Sequence, residues 1–195
     1  NVEASVAGTL STNQNLLIDA DEITNFITVG GGAGLGLQTA GIGIGIANNN
    51  LNRNLKSFIG NGANVTALGN GAVITDPSGE LSGNGMLIDA TAKDNLISVA
   101  AGGSFGGTVA FSGSVVVNTM TSNVDAFIGA GAKINENNAG ASANQSVQLR
   151  AREQTEIISV AGSLAASRTA GIGGAVDVEI LSRNVRAHID AGAVG

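Results

Sequence analysis

One phrase recurs four times along the chain, and this repetition constrains the fold more than any other feature. It reads NVEASVA at 1–7, NLKSFIG at 54–60, NVDAFIG at 123–129 and NVRAHID at 184–190. Two further anchors recur between the copies. Leu17-Ile18-Asp19-Ala20 is followed by Ile27-Thr28-Val29-Gly30, Leu87-Ile88-Asp89-Ala90 by Ile97-Ser98-Val99-Ala100, and Gln148-Leu149-Arg150-Ala151 by Ile158-Ser159-Val160-Ala161. Gly43, Gly113 and Gly174 each follow the second anchor by sixteen positions. Self-similarity of this kind marks an array of stacked supersecondary units. With Ile27, Ile97 and Ile158 equivalent, the spacings are 97 − 27 = 70 and 158 − 97 = 61. Eight of the nine extra residues fall between Phe58 and Ile97, where Thr75-Asp76-Pro77-Ser78-Gly79 supplies a turn containing the only proline. The chain divides into three imperfect repeats, about 8–65, 66–135 and 136–195, of a single solenoid segment. It opens in the tail phrase of a preceding unit and without Met, so it is read as cut from a longer protein.

Within a unit the apolar period is two. Gly41-Ile42-Gly43-Ile44-Gly45-Ile46 places its isoleucines on one face and its glycines on the other, and Val109 to Val115 alternates in the same way. These segments are strands; glycine recurs too often for long helices. The expected fold is all-β, a right-handed parallel β-helix, with an antiparallel β-sandwich or meander as the alternative. Dividing each unit into coils of roughly 20 residues predicts about ten coils and a rod on the order of 45 Å long, with aliphatic ladders inside. Glycine-rich stretches such as Gly30 to Gly34 and Gly60-Asn61-Gly62 are expected to be corners with positive φ, or faces that let another backbone approach. Neither stretch continues into a Lys-Ser/Thr motif or a helix, so a phosphate cradle is excluded.

Composition narrows the function classes. The chain has 30 Gly, five Phe and no Trp or Tyr, yet 43% of residues are hydrophobic, so burial must come from many small aliphatic positions. Only 12% are charged and the net charge is −6, which disfavours nucleic acid. Cysteine is absent, excluding disulfides and thiolate metal sites. No apolar run is long enough for a membrane-spanning helix.

Few residues stand outside the repeat. His188, the only histidine, takes the slot of Phe58 and Phe127, which predicts a packed or rim-facing ring. Asp19, Asp21 and Glu22 form an acidic group that suits calcium or acid/base chemistry, but Asp19 matches Asp89 and then Arg150, as at a solvated corner. The third position of the shared phrase carries Glu3, Lys56, Asp125 and Arg186, a slot that requires charge of either sign and reads as a solvated face. Asn64 and Asn144 begin glycosylation-type tripeptides, a pattern common by chance in Asn-rich sequence. No catalytic, cofactor-binding or metal-binding residues are assigned and no cofactor is expected. The loop near Asp76 and Glu80 is where an enzyme-like break in the repeat would lie.

The phrases Ile97 to Gly103, Gly113 to Asn118 and Ala126 to Ile134 resemble the repeat arrays of large bacterial exoproteins of the leukotoxin and filamentous-haemagglutinin-like adhesin type, and the likeness runs through all three units. The resemblance implies a virulence-associated stalk or adhesive segment, not an enzyme, secreted or displayed on the bacterial surface by a type V system. Its implied partners are neighbouring repeats of the parent chain, an outer-membrane transporter during export, and a host-cell receptor or glycan. The rival function is a polysaccharide-acting enzyme or a carbohydrate- or receptor-binding module on the same scaffold.

Overall fold

The computed structural model describes all 195 residues and is all-β. Its strands are β1 (Val2–Val6), β2 (Thr9–Thr12), β3 (Leu16–Gly36), β4 (Ala40–Ile59), β5 (Asn64–Ala67), β6 (Ile74–Thr75), β7 (Ser82–Gly106), β8 (Val109–Ile128), β9 (Lys133–Ile134), β10 (Gln145–Ser167) and β11 (Ala170–Ile189). They build three sheets, ordered β1-β4-β8-β11, β10-β7-β3 and β2-β5-β9. Every pairing is parallel except that of β6 with β7. The fold is therefore a parallel β-solenoid, and the sandwich or meander alternative is excluded.

The coil is much larger than the sequence suggested. Leu16 pairs with Met86 and Met86 with Val147, steps of 70 and 61 residues, so each repeat is one whole turn rather than three. A strand such as β4, with 20 residues, runs about 65 Å. The three turns rise only about 10 Å from first strand to third. The result is a wide, thin blade instead of a ten-coil rod. Treating the recurring glycines as corners shortened the predicted coil, whereas most of them lie within long strands.

Register also locates the unequal repeat lengths. From Val65 to Met86 is 21 residues, but from the equivalent Ile134 to Val147 is 13, so eight residues are inserted between β5 and β7. The ninth sits in the first coil's end turn, Leu37 to Thr39, which has three residues where Gly107-Thr108 and Arg168-Thr169 have two.

Each coil tapers, and side-chain size sets the taper. At the wide end all three sheets surround an aliphatic core that includes Leu55, Ile59, Val65, Met86, Ile88, Val124 and Ile134. Gly62 and Gly131 turn the corner between the β4-type and β5-type strands at φ of 66° and 67°. Further along the blade only two sheets remain. Reading the inward positions of β4 back from the core gives Leu55, Arg53, Leu51, Asn49, Ala47, Gly45, Gly43 and Gly41. As these side chains shrink the sheets converge until backbone rests on backbone. A Cβ built on Gly32 would lie 1.7 Å from the Ile44 carbonyl oxygen, and one on Gly43 1.9 Å from that of Gly103. Only glycine permits this approach.

The expectation that aliphatics line the interior holds at the wide end and inverts at the thin end. There the glycines are inside and Ile42, Ile44 and Ile46 face outward, 63%, 58% and 63% exposed. Two sheets in backbone contact leave no space for isoleucine between them.

Between core and thin end two polar layers alternate with apolar ones, Leu51, Leu96 and Met120 lying between them and Ala47, Ala100 and Val116 beyond. Arg53 donates to both carboxylate oxygens of Asp94, at 2.5 and 2.9 Å, to Glu153 at 3.0 Å and to the Ser122 hydroxyl at 2.8 Å, with all three charged side chains buried. Thr155 donates to Asp94 at 3.2 Å. Beyond the Leu51 layer, Asn49 donates to Ser98 and to Asn118, at 2.6 and 2.7 Å, and Asn118 donates to Glu179 at 2.7 Å. These bonds run both between coils and across the two sheets, so they fix coil stacking and sheet facing together.

Candidate functional site

The eight-residue insertion is where the repeat is broken. Its strand β6 pairs with the start of β7, Ile74 with Gly83 and Thr75 with Ser82. Asp76 organises the hairpin tip. Its amide donates to the Leu81 carbonyl at 2.9 Å, and its carboxylate accepts from the Leu81 amide, the Ser78 amide and the Ser78 hydroxyl. Gly79 completes the turn at a φ of 76°, a conformation costly for any residue with a Cβ.

Asp76 and Asp89 are both buried, and Arg150 joins them. Its Nε donates to Asp89 Oδ1 at 2.7 Å, and its Nη2 to Asp89 Oδ2 at 2.9 Å, to Asp76 Oδ2 at 2.7 Å and to the Ser78 hydroxyl at 2.8 Å. Thr91 donates to Asp89 at 3.0 Å. The guanidinium thus ties the third coil to the second and to the hairpin. Its hydrogen bond to Asp89 leads the contributions that push its pKa up, against the pull of burial. Burial works to raise the Asp76 carboxyl, but the Ser78 and Leu81 hydrogen bonds and the Arg150 charge outweigh it and hold the group below its ordinary range.

Asp19 is the register partner of Asp89, and Asp21 that of Thr91. Carboxylate oxygens of Asp19, Asp21 and Asp89 lie within 4.8 Å of one another, and these three residues are the ones positioned to hold a cation. Asp19 Oδ1 is buried without a hydrogen-bond partner. Burial, with the charges of Asp21, Asp89 and Asp76 added, raises the Asp19 pKa to about 6, only partly countered by Arg150. Asp21 is raised for the same leading reason. The solvated-corner reading of this position is therefore corrected. Asp19, Asp89 and Arg150 form a ladder along strands, and the substitution to arginine supplies the positive charge the carboxylates need.

Beside the hairpin a groove of about 310 Å³ runs across β3, β7 and β10, lined by Asp21, Glu80, Thr91, Lys93, Arg152 and Gln154 among others. Arg152 and Glu80 form an ion pair at its rim. Donors and acceptors of both signs face the same space, an arrangement that suits a polar, hydroxyl-rich ligand. The sequence pointed to Asp76 and Glu80 but placed no charged cluster there. The cluster exists because the register brings Arg150 and Arg152 beside the inserted loop.

The other singled-out residues take varied positions. Glu22 is half-buried and accepts a bond from Thr24 at 3.2 Å. His188 stacks on Phe127 with ring centroids 5.3 Å apart, and Phe127 stacks on Phe58 at 4.6 Å and 3°. Its two ring nitrogens lie 3.2 Å from Asp125 and 3.4 Å from Asp190. The charged slot is not a uniformly solvated face, because Asp125 is buried with Arg186 and His188 each 3.2 Å away; in register Glu3 stands beside Lys56, Lys56 beside Asp125 and Asp125 beside Arg186, so the sign alternates at each step. Asn64 lies half-buried in β5, and Asn144 is exposed just before β10. The buried Arg53, Asp94 and Glu153 were missed, although each occupies an inward position of its strand, where a lone charge demands a partner. Against protein-family models, curated proteins and solved structures, the chain finds no match.

Proposed function

We propose that this chain is a structural stalk and adhesive segment of a large secreted bacterial exoprotein, exported by a type V route and working without a cofactor. The observation that carries the reading is the unbroken parallel register from β3 through β7 to β10 and from β4 through β8 to β11, in which every coil offers the next a complete template of hydrogen bonds. A chain built in this way extends by adding turns, and its folding can progress from one end. Single-molecule pulling tests the reading. A stalk built of coils should yield in steps of one turn, each releasing about 200–250 Å of chain for a coil of 61 to 70 residues. Collapse of the whole chain in one step at low force would count against it.

A second reading, a carbohydrate-binding module, is favoured by the mixed-charge groove under the hairpin. Acidic and neutral oligosaccharides titrated onto the chain should perturb the amide NMR signals of Thr91, Lys93 and Arg152. A spectrum unchanged by any of them removes this reading.

A further inference from the structure

The outward face of the thin end, formed by β4, β8 and β11, is large, mainly apolar and free of charge. Its rows run across the coils: Ile42, Phe111 and Ile172; Ile44, Gly113 and Gly174; Ile46, Val115 and Val176; Asn48, Val117 and Val178; Asn50, Thr119 and Ile180. No Asp, Glu, Lys or Arg occurs among these outward positions. We infer that this face is the interface of a homodimer, in which a second copy of the chain seats on it about a two-fold axis parallel to the central strand β8.

Two observations carry the inference. The first is area. Three strands wide and twelve residues long, the face measures about 14 Å by 40 Å, on the order of 560 Å² in projection. A pair of copies then buries roughly 1,100 Å², above the floor of about 1,000 Å² for a biological interface and in the range of weak dimers. An exposed apolar patch of that size is at the upper limit for a monomeric soluble protein; the opposite face, where Ile27, Val29, Leu35, Phe105 and Leu164 are exposed, is as apolar, so the choice of face rests on shape.

The second observation is shape. The second row is interrupted: a side chain on Gly174 would meet no atom within 4 Å, and one on Gly113 only the Gly174 carbonyl at 3.9 Å. Around Gly113 the surface dips into a depression of about 210 Å³ edged by Ile42, Ile44, Phe111 and Ile172. Within that row Ile44 is the only projection. A two-fold axis along the central strand exchanges the first and third coils while preserving strand direction. It therefore sets Ile44 of each copy over Gly174 of the other and Phe111 over Phe111. The same knob fills the same hole twice, as an isologous contact requires.

Sedimentation velocity of the purified chain over a micromolar to near-millimolar series tests this. The expected result is a mass that rises from the 19.1 kDa monomer to twice that value and stops there. Gly174→Ile fills the hole, its Cβ meeting no atom of its own chain within 4 Å, and should weaken association at least tenfold, whereas Ile44→Gly combined with Gly174→Ile restores the pairing with knob and hole exchanged. Val29→Lys, on the opposite face of the blade, should leave association unchanged, and far-UV circular dichroism checks that each variant keeps its strand content. A chain that stays monomeric, a mass that climbs without limit, equal weakening by Val29→Lys, or a double variant no better than Gly174→Ile would each overturn the dimer. Flotation of a strictly monomeric chain with phosphatidylcholine vesicles would assign the face to lipid instead.

Discussion

Replacing Gly43 by alanine asks a single methyl group to enter the place where the two sheets touch. The new Cβ would stand 1.9 Å from the Gly103 carbonyl oxygen, 2.8 Å from its carbon and 3.0 Å from the Gly34 amide nitrogen. Ordinary contact to such atoms is about 3.4 Å, so the backbone would have to move by roughly 1.5 Å. It cannot move at one residue alone. Gly41 and Gly45 on the same strand face the Phe105 and Ala101 carbonyls at Cβ distances of 2.1 and 2.2 Å, so β4 must lift along its whole thin end. Overpacking costs about 1–3 kcal/mol when neighbours can adjust, and here the neighbours are main chain, so the expected loss is at the upper end, about 3 kcal/mol. That is a large part of a typical folding stability of about 5–15 kcal/mol.

Gly31 is the matched control. It lies on the facing strand but points outward, and a Cβ there would meet nothing within 4 Å. Gly31→Ala should be neutral or stabilise by about 0.4–1 kcal/mol through reduced freedom of the unfolded chain. The chain contains no Trp or Tyr, so urea unfolding is best followed by amide circular dichroism. The midpoint should drop for Gly43→Ala, with the slope unchanged, and hold or rise for Gly31→Ala. If both variants unfolded together with the wild type, the backbone-on-backbone account of the thin end would be wrong.

Arg53→Met removes the cation between Asp94 and Glu153 and should cost about 3–5 kcal/mol in the same urea assay, because two buried carboxylates lose their partner; adding Asp94→Leu and Glu153→Leu should recover much of the loss. Arg150→Gln should release the inserted hairpin, read as faster limited proteolysis near Pro77 with the remaining coils intact; an unchanged cleavage pattern would show that Arg150 does not hold it. Acidity provides a further check. The folded-state pKa of Asp19 is raised to about 6, above its value of 3.8 in the unfolded chain, so the folded state binds the proton more tightly. The associated stability is fully present below about pH 4 and disappears as pH climbs through about 6. Melting temperature should fall across that interval, and Asp19→Asn should flatten the fall and melt higher at pH 7. An identical profile for wild type and Asp19→Asn would refute the burial of this carboxyl.

Repetition and period-two alternation were enough to find the strands and the site of the inserted loop and to favour a parallel solenoid, but only the parallel pairings separate it from an antiparallel sandwich or meander. Coil size was not legible, because a Gly-Ile alternation reads the same whether the isoleucines point into a core or away from a glycine-lined contact. The difference lies in what faces Gly41, Gly43 and Gly45, and those partners are Phe105, Gly103 and Ala101 of the next coil, about sixty residues away. The candidate site was half legible. Asp19, Asp21, Asp76 and Glu80 stood out as acids, but the pairing of Arg150 with Asp89 and Asp76 depends on register across coils. His188 in the phenylalanine slot was fully legible, since in-register stacking puts equivalent positions of the repeat in contact.

The alternating charges at Glu3, Lys56, Asp125 and Arg186 act as a parity check on assembly. Three turns of similar sequence are at risk of stacking in the wrong order, the hazard of any repetitive chain. If the second turn were skipped and the first met the third, Lys56 would come to rest against Arg186. A slip at the other end would set Glu3 against Asp125. Each single skip thus brings like charges together at the spacing of adjacent strands, while the correct sequence of turns alternates throughout. The slot thus records whether a turn is odd or even, so that a growing stack rejects the nearest wrong copy of itself.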